Sequence, residues 1–138
     1  MKVKCVKFID HRTGELKTSD AWLTIGRIYH VLEVLSDGQR GVKFRFLSDD
    51  KTCPALHDAN QFELVSNKIP EEWCVNFVPG SFFELTPKAW AYDGFWEDYF
   101  NGEPKAEQLF HEVAKKIVTD EPVKDPSKPS FFPPWSPF

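Results

Sequence analysis

Cys53 stands four residues before His57, with Pro54 directly after it, and this is the one local Cys/His pair in the chain. A cysteine nucleophile needs a base to draw off its proton. Catalytic partners generally come from distant segments, so an enzyme built here would show a pocket joining Cys53 or His57 to residues from elsewhere. Cys5 and Cys74 read instead as small buried residues in strands. Four histidines (His11, His30, His57, His111) and three cysteines are numerous enough to suggest a metal, but no C-x-x-C, H-x-x-x-H or H-E-x-x-H spacing occurs. Scattered, unrelated residues are the simpler reading. No metal site and no cofactor are expected.

Carboxylates are paired at Asp49-Asp50, Glu71-Glu72 and Glu97-Asp98. Acid/base work would need burial to raise one member of a pair. The first two pairs lie in polar, turn-like stretches where solvation is the ordinary outcome. Glu97-Asp98 lies among Phe95, Trp96, Tyr99 and Phe100, which describes an acidic-aromatic contact surface better than a glycosidase site. No glycine-rich phosphate cradle exists, neither G-x-x-x-x-G-K-S/T nor G-x-G-x-x-G. The chain is therefore expected not to be an enzyme.

A basic strand face is a further possibility. Lys2, Lys4 and Lys7 with Lys43 and Arg45 would form one if their strands are neighbours, and Phe44 and Tyr29 would then complete a nucleic-acid platform. The charge argues against it. The net charge is −4, with +1 in residues 1–65 and −5 in residues 66–138. Residues 93–112 hold Asp93, Glu97, Asp98, Glu103, Glu107 and Glu112 against the single Lys105. An acidic face repels phosphate backbones and attracts basic partners, although solvated helix faces are often charged without binding anything.

The 138 residues fit one domain with a core of its own. Aromatics reach 15 %, with thirteen Phe and five Trp, so some of them are expected at the surface, where such residues anchor interfaces. An odd number of widely spaced cysteines without a secretory segment points to free thiols in a reducing, cytoplasmic setting. No stretch approaches the roughly eighteen apolar residues of a membrane span.

The elements that position these residues are β-rich first and helical later. Residues 2–9 read as a strand, 11–20 as a polar connector, and 22–34 as an apolar stretch interrupted at Gly26. Ser36-Asp37-Gly38 is a turn, and Val42, Phe44 and Phe46 alternate with Lys43 and Arg45 at a period of two. Short strands are expected at 53–56, 62–65, 73–78 and 82–85, with His57 in a loop. Thr86-Pro87 suits a helix start. A second short helix after Asp93-Gly94 places Phe95, Trp96, Tyr99 and Phe100 on one side. Residues 104–118 form the clearest helix, with Ala106, Leu109, Phe110, Val113, Ala114, Ile117 and Val118 on one stripe. Residues 120–138 contain six prolines together with Phe131, Phe132, Trp135 and Phe138. Such a tail is expected to be extended, and its aromatics favour packing back on its own domain over docking on a copy or another protein.

Within this pattern, Leu23-Thr24-Ile25-Gly26-Arg27-Ile28-Tyr29-His30-Val31 resembles the G-K-x-Y-x-V opening of small SH3-like barrel proteins of bacteria and phages. Val42-Lys43-Phe44-Arg45-Phe46 with Ser48-Asp49-Asp50 is similar to the strand and turn that follow there, and Phe62-Glu63-Leu64-Val65 to the closing F-E-x-V. The likeness covers about residues 20–66. It implies a small, bent antiparallel sheet or barrel, and it carries no catalytic residues with it.

The expectation is an α+β fold: a single domain over 1–119, β-rich over 1–85 and helical over 86–119, followed by the tail 120–138. In general character it resembles toxin-immunity proteins, being small, acidic and without evident chemistry. The expected function is a non-catalytic protein-binding module, of immunity or inhibitor type, neutralising a basic partner such as a nuclease toxin. The expected partner-binding residues are Asp93, Trp96, Glu97, Asp98, Tyr99, Glu103 and Glu107, with Trp96 or Tyr99 as anchor. The cluster 95–100 could equally be the seam between sheet and helices. Tyr99, with its polar tip, is then the better surface residue, while Trp96 and Phe100 go to the core. Alternatives are a phage or regulatory accessory protein binding through the barrel or the tail, where Pro126-Ser-Lys-Pro129 and Pro134-Trp-Ser-Pro137 match P-x-x-P, and nucleic-acid binding through the basic strand face.

Overall fold

The computed structural model describes residues 1–123. The expectations for residues 124–138 fall outside the described residues.

The described residues form ten strands and two α-helices in β-then-α order. The strands are β1 (Lys2–Cys5), β2 (Phe8–Ile9), β3 (Leu16–Lys17), β4 (Ile28–His30), β5 (Glu33–Asp37), β6 (Gly41–Leu47), β7 (Pro54–Asp58), β8 (Phe62–Ser66), β9 (Trp73–Val78) and β10 (Phe82–Pro87). The helices are α1 (Phe95–Phe100) and α2 (Pro104–Asp120), and single 3-10 turns occupy Ala59–Gln61 and Lys88–Trp90. All strand pairs are antiparallel. They build a three-stranded sheet in the order β4-β1-β8, a five-stranded sheet β7-β6-β5-β10-β9 and the small hairpin β2-β3. Both larger sheets are open.

One stretch of chain serves both sheets. After β4 the backbone bends at Val31 and Leu32, where Val31 N–H donates to the Met1 carbonyl (3.0 Å) and Leu32 N–H to the Arg45 carbonyl (2.7 Å). Both side chains are buried, so the bend is fixed from inside. β5 then continues in the second sheet. The sheets close on each other through aromatic contacts, Tyr29 stacked on Phe46 at 4.5 Å and Phe62 edge-on to Phe46 at 5.3 Å, a geometry worth about 1 kcal/mol per pair beyond burial.

Register assigns each face of the five-stranded sheet. Val34, Phe44, Leu85 and Val75 are cross-strand neighbours on the face toward β1 and β8. Glu33 and Arg45 pair on the opposite face, which receives the helices. α2 buries Ala106, Phe110, Ala114, Ile117 and Val118, the stripe expected from spacing.

Three local expectations change. The 2–9 strand is two strands, because Val6 and Lys7 N–H turn to the Gln61 carbonyl (2.9 and 3.4 Å). His57 lies on β7 and not in a loop. Thr86-Pro87 ends β10 and leads into the single 3-10 turn Lys88–Trp90 instead of an α-helix, and the Thr86 hydroxyl donates to the Glu33 carboxylate (2.8 Å) and caps nothing. No helix among the described residues is long and apolar enough to cross a membrane.

Candidate protein-binding surface

The α1–α2 corner is held from below by a buried polar cluster. Glu33 is 3 % exposed. Its carboxylate accepts from Arg45 Nε (2.5 Å) and from the Thr86 hydroxyl (2.8 Å). Arg45 also donates through Nη1 to the Pro54 carbonyl (2.7 Å), and its guanidinium lies 4.0 Å from the centre of the Trp96 ring. Arg45 therefore joins β5, β7 and α1 at once. Gly94 opens α1 at φ +87°, a conformation that glycine adopts without strain. Phe95 is buried against Trp90 (5.7 Å), and Tyr99 packs on Phe110 of α2 (4.8 Å). The Asn101-Gly102 turn closes with Glu103 N–H donating to the Asp98 carbonyl (3.0 Å).

This packing decides which residues face outward. Asp93, Glu97, Glu103 and Glu107 are exposed, and Asp98 is half-buried. Among the described residues none of the five takes part in an ion pair. Glu97 and Asp98 lie in the first turn of α1 and Glu107 in that of α2, where helix dipoles favour negative charge. The surface is therefore acidic without straining the fold. Tyr99 is half-buried, and burial, with Glu107 and Cys53 nearby, pushes its hydroxyl pKa up.

The aromatics divide differently from the sequence expectation. Trp96, named as an anchor, is half-buried under Arg45 and against Trp90 and Phe110. Tyr99 shares that seam. Phe100, assigned to the core, is 57 % exposed, and Tyr92 is 46 % exposed. The reason is rotation. Phe100 lies about 140° around α1 from Phe95 at 100° per residue, so the turn that buries Phe95 cannot also bury Phe100. That offset was available in the sequence, whereas Tyr92, outside the helix, gave no periodic signal.

The other flagged residues fall elsewhere. Cys53 and His57 line a cleft of about 390 Å³ together with Asp20, Trp22 and Lys17 from the β2–β3 excursion and Asp58. The His57 ring stacks on Phe46 (4.6 Å), and burial lowers its pKa. Among the described residues its buried Nε2 finds no hydrogen-bond partner. No group of three or more His, Cys, Asp or Glu among the described residues could hold a metal ion. β1 and β6 belong to different sheets. Lys43 is paired with Asp58 and Arg45 with Glu33, so the basic platform that needs Lys2 and Lys4 beside Lys43 and Arg45 is not assembled.

No protein-family model matches this chain, and no curated protein and no solved structure matches it.

Proposed function

We propose that the protein is a non-catalytic binding module of immunity or inhibitor type, whose α1–α2 corner engages a basic protein. The observation that carries the reading is the grouping of Phe100 and Tyr92, two exposed aromatics, with Asp93, Glu97, Glu103 and Glu107, whose charges no described cation pairs with. Exposed aromatics supply contact energy at the centre of an interface, and surrounding charge steers the encounter. Phe100 and Tyr92 replace Trp96 and Tyr99 as anchors. A nuclease with a phosphate-binding cleft is a partner of the right chemistry, because carboxylates can occupy a site built for phosphate. The test is capture from the native host's lysate at low and high salt, with wild type and Phe100→Ser. One basic protein, held at low salt, weakened at high salt and lost with Phe100→Ser, supports the reading. Retention of nucleic acid alone sets it aside.

Residues 1–66 are read as an SH3-like barrel serving as scaffold. The connection order supports this: β1, an excursion carrying β2-β3, the bent β4–β5 course, β6, β7, a 3-10 turn, and β8 returning to pair with β1.

The cleft at Cys53 favours a second reading, a thiol-dependent site with neutral His57 as base. Alkylation of Cys53 tests it. A rate at least tenfold above that of Cys74, and lost in His57→Gln, would support the pair. Equal rates in wild type and His57→Gln would leave the cleft as a structural groove.

A further inference from the structure

Among the described residues, none covers one apolar area of the five-stranded sheet. Cross-strand register aligns Phe77, Phe83, Ser36 and Val42 in one row, and Val75, Leu85, Val34 and Phe44 in the next, all on one face. Val34 is buried and Phe44 and Leu85 are half-buried, but Val42 is 44 %, Val75 60 %, Phe77 63 % and Phe83 36 % exposed. No charged side chain occurs in either row. β9, whose outer edge no described strand pairs with, reads Trp-Cys-Val-Asn-Phe-Val, without a charge, a proline or a bulge. Soluble proteins usually blunt such edges or cover them, and apolar patches of this kind mark a docking site.

The described chain ends beside the three-stranded sheet, which packs on that same face of the five-stranded one. Glu121 is fixed by the Met1 ammonium (3.1 Å), by the Ser66 hydroxyl (2.6 Å) and, through its carbonyl, by His30 Nε2 (2.5 Å). The Pro122 carbonyl accepts from Lys2 Nζ (3.1 Å). These contacts hold the exit beside Ser66, at the end of β8. Leu64, two residues back, is 57 % exposed and lies on the side of β8 that carries Phe62, which rests on Phe44 of the five-stranded sheet. Fifteen residues follow Val123. The seven that join Val123 to Phe131 span at most roughly 26 Å at about 3.3 Å per residue, more than the roughly 20 Å of a six-residue strand. Their last eight residues are Phe131-Phe-Pro-Pro-Trp135-Ser-Pro-Phe138, four aromatics and no charged side chain.

We propose that residues 131–138 dock on the apolar face of Val42, Val75, Phe77 and Phe83 in the same molecule. Tethering decides between this occupant and others. A covalent connection of a few residues gives an effective concentration near the millimolar range, far above that of a second copy or a foreign protein at ordinary working concentrations. The exit contacts shorten the search further, since the connection starts from a fixed point.

The test places a benzophenone side chain at position 135 of the purified full chain. After irradiation, crosslinks are mapped by mass spectrometry, and unchanged circular dichroism checks the fold. Docking in the same molecule predicts crosslinks at monomer size, mapping to 73–85 and to Val42, independent of protein concentration. They should fall at least fivefold in Phe77→Ser/Phe83→Ser. Hydrogen exchange provides a readout that needs no probe: amides of 73–78 should exchange at least tenfold faster in the full-length variant Phe131→Ser/Phe132→Ser/Trp135→Ser. Crosslinks at dimer size that rise with concentration would assign the face to a second copy and overturn the proposal. Crosslinks elsewhere on the monomer, or none with unchanged exchange, would overturn it as well.

Discussion

Replacing Arg45 by Met removes the one cation that holds Glu33, whose side chain is only 4 % exposed. Breaking a buried pair by deleting one partner leaves an uncompensated charge and costs about 3–5 kcal/mol. The same change removes the guanidinium from the Trp96 face, worth roughly 1 kcal/mol, and the donor to the Pro54 carbonyl. Against a total stability of about 5–15 kcal/mol for a domain, a large share is lost, and the melting midpoint should fall by roughly 12–18 °C at about 3 °C per kcal/mol. The double variant Arg45→Met/Glu33→Leu takes both charges out together. It should regain most of the loss, leaving the Thr86 hydroxyl and the Pro54 carbonyl without these side-chain partners. Urea denaturation of the wild type, both single variants and the double variant completes the cycle. Hydrogen exchange should show the α1 amides opening first in Arg45→Met, because Arg45 is what ties Trp96 to the sheet. A cost under about 1 kcal/mol for Arg45→Met, or a double variant no better than the single, would refute the claim that this ion pair positions the corner.

Other expectations follow from single sites. His30 is 4 % exposed, and burial, with the Lys2 and N-terminal ammonium charges, brings its pKa from 6.5 to about 4 against the pull of Glu121. The unfolded chain thus takes up a proton that the native one refuses, so stability is full above about pH 6.5 and falls by about 3 kcal/mol as pH drops to about 4. Urea midpoints across that range should show the slope, and His30→Gln should flatten it; equal slopes would contradict the assignment. Burial raises the Cys5 thiol to about 11, so a thiol reagent at pH 8 should react with Cys53 and Cys74 and leave Cys5 untouched until unfolding. Gly94→Ala must hold φ near +87° with a side chain, which should cost about 1 kcal/mol in a urea titration. A neutral effect would mean that the helix start is not fixed as described.

What the sequence could reveal was set by the range of the interaction concerned. The alternation of Val42, Phe44 and Phe46 marks β6, and the i, i+3, i+4 stripe from Ala106 to Val118 marks α2, because both patterns report a face buried along its whole length. The split into two sheets was hidden, since it turns on two backbone bonds from Val31 and Leu32 to Met1 and Arg45. Thr86 looked like a cap because only the fold brings Glu33 to its hydroxyl. In α1 the offset between Phe95 and Phe100 was legible, but which side of the helix meets the core depends on distant partners. The ring that the sequence offered as an anchor, Trp96, is covered by an arginine fifty-one positions earlier. The acidic residues fared better, since exposure is the ordinary state of a carboxylate and needs no distant partner.

The most direct test of the binding surface is capture from host lysate by wild type, by Glu97→Lys/Glu103→Lys and by the control Glu63→Lys, whose exposed side chain is on β8 away from the corner. At about 0.05 M salt, where screening is weak, wild type and control should retain the same basic protein and the double reversal should lose it. Equal retention by all three, or capture of nucleic acid alone by the wild type, would contradict the account.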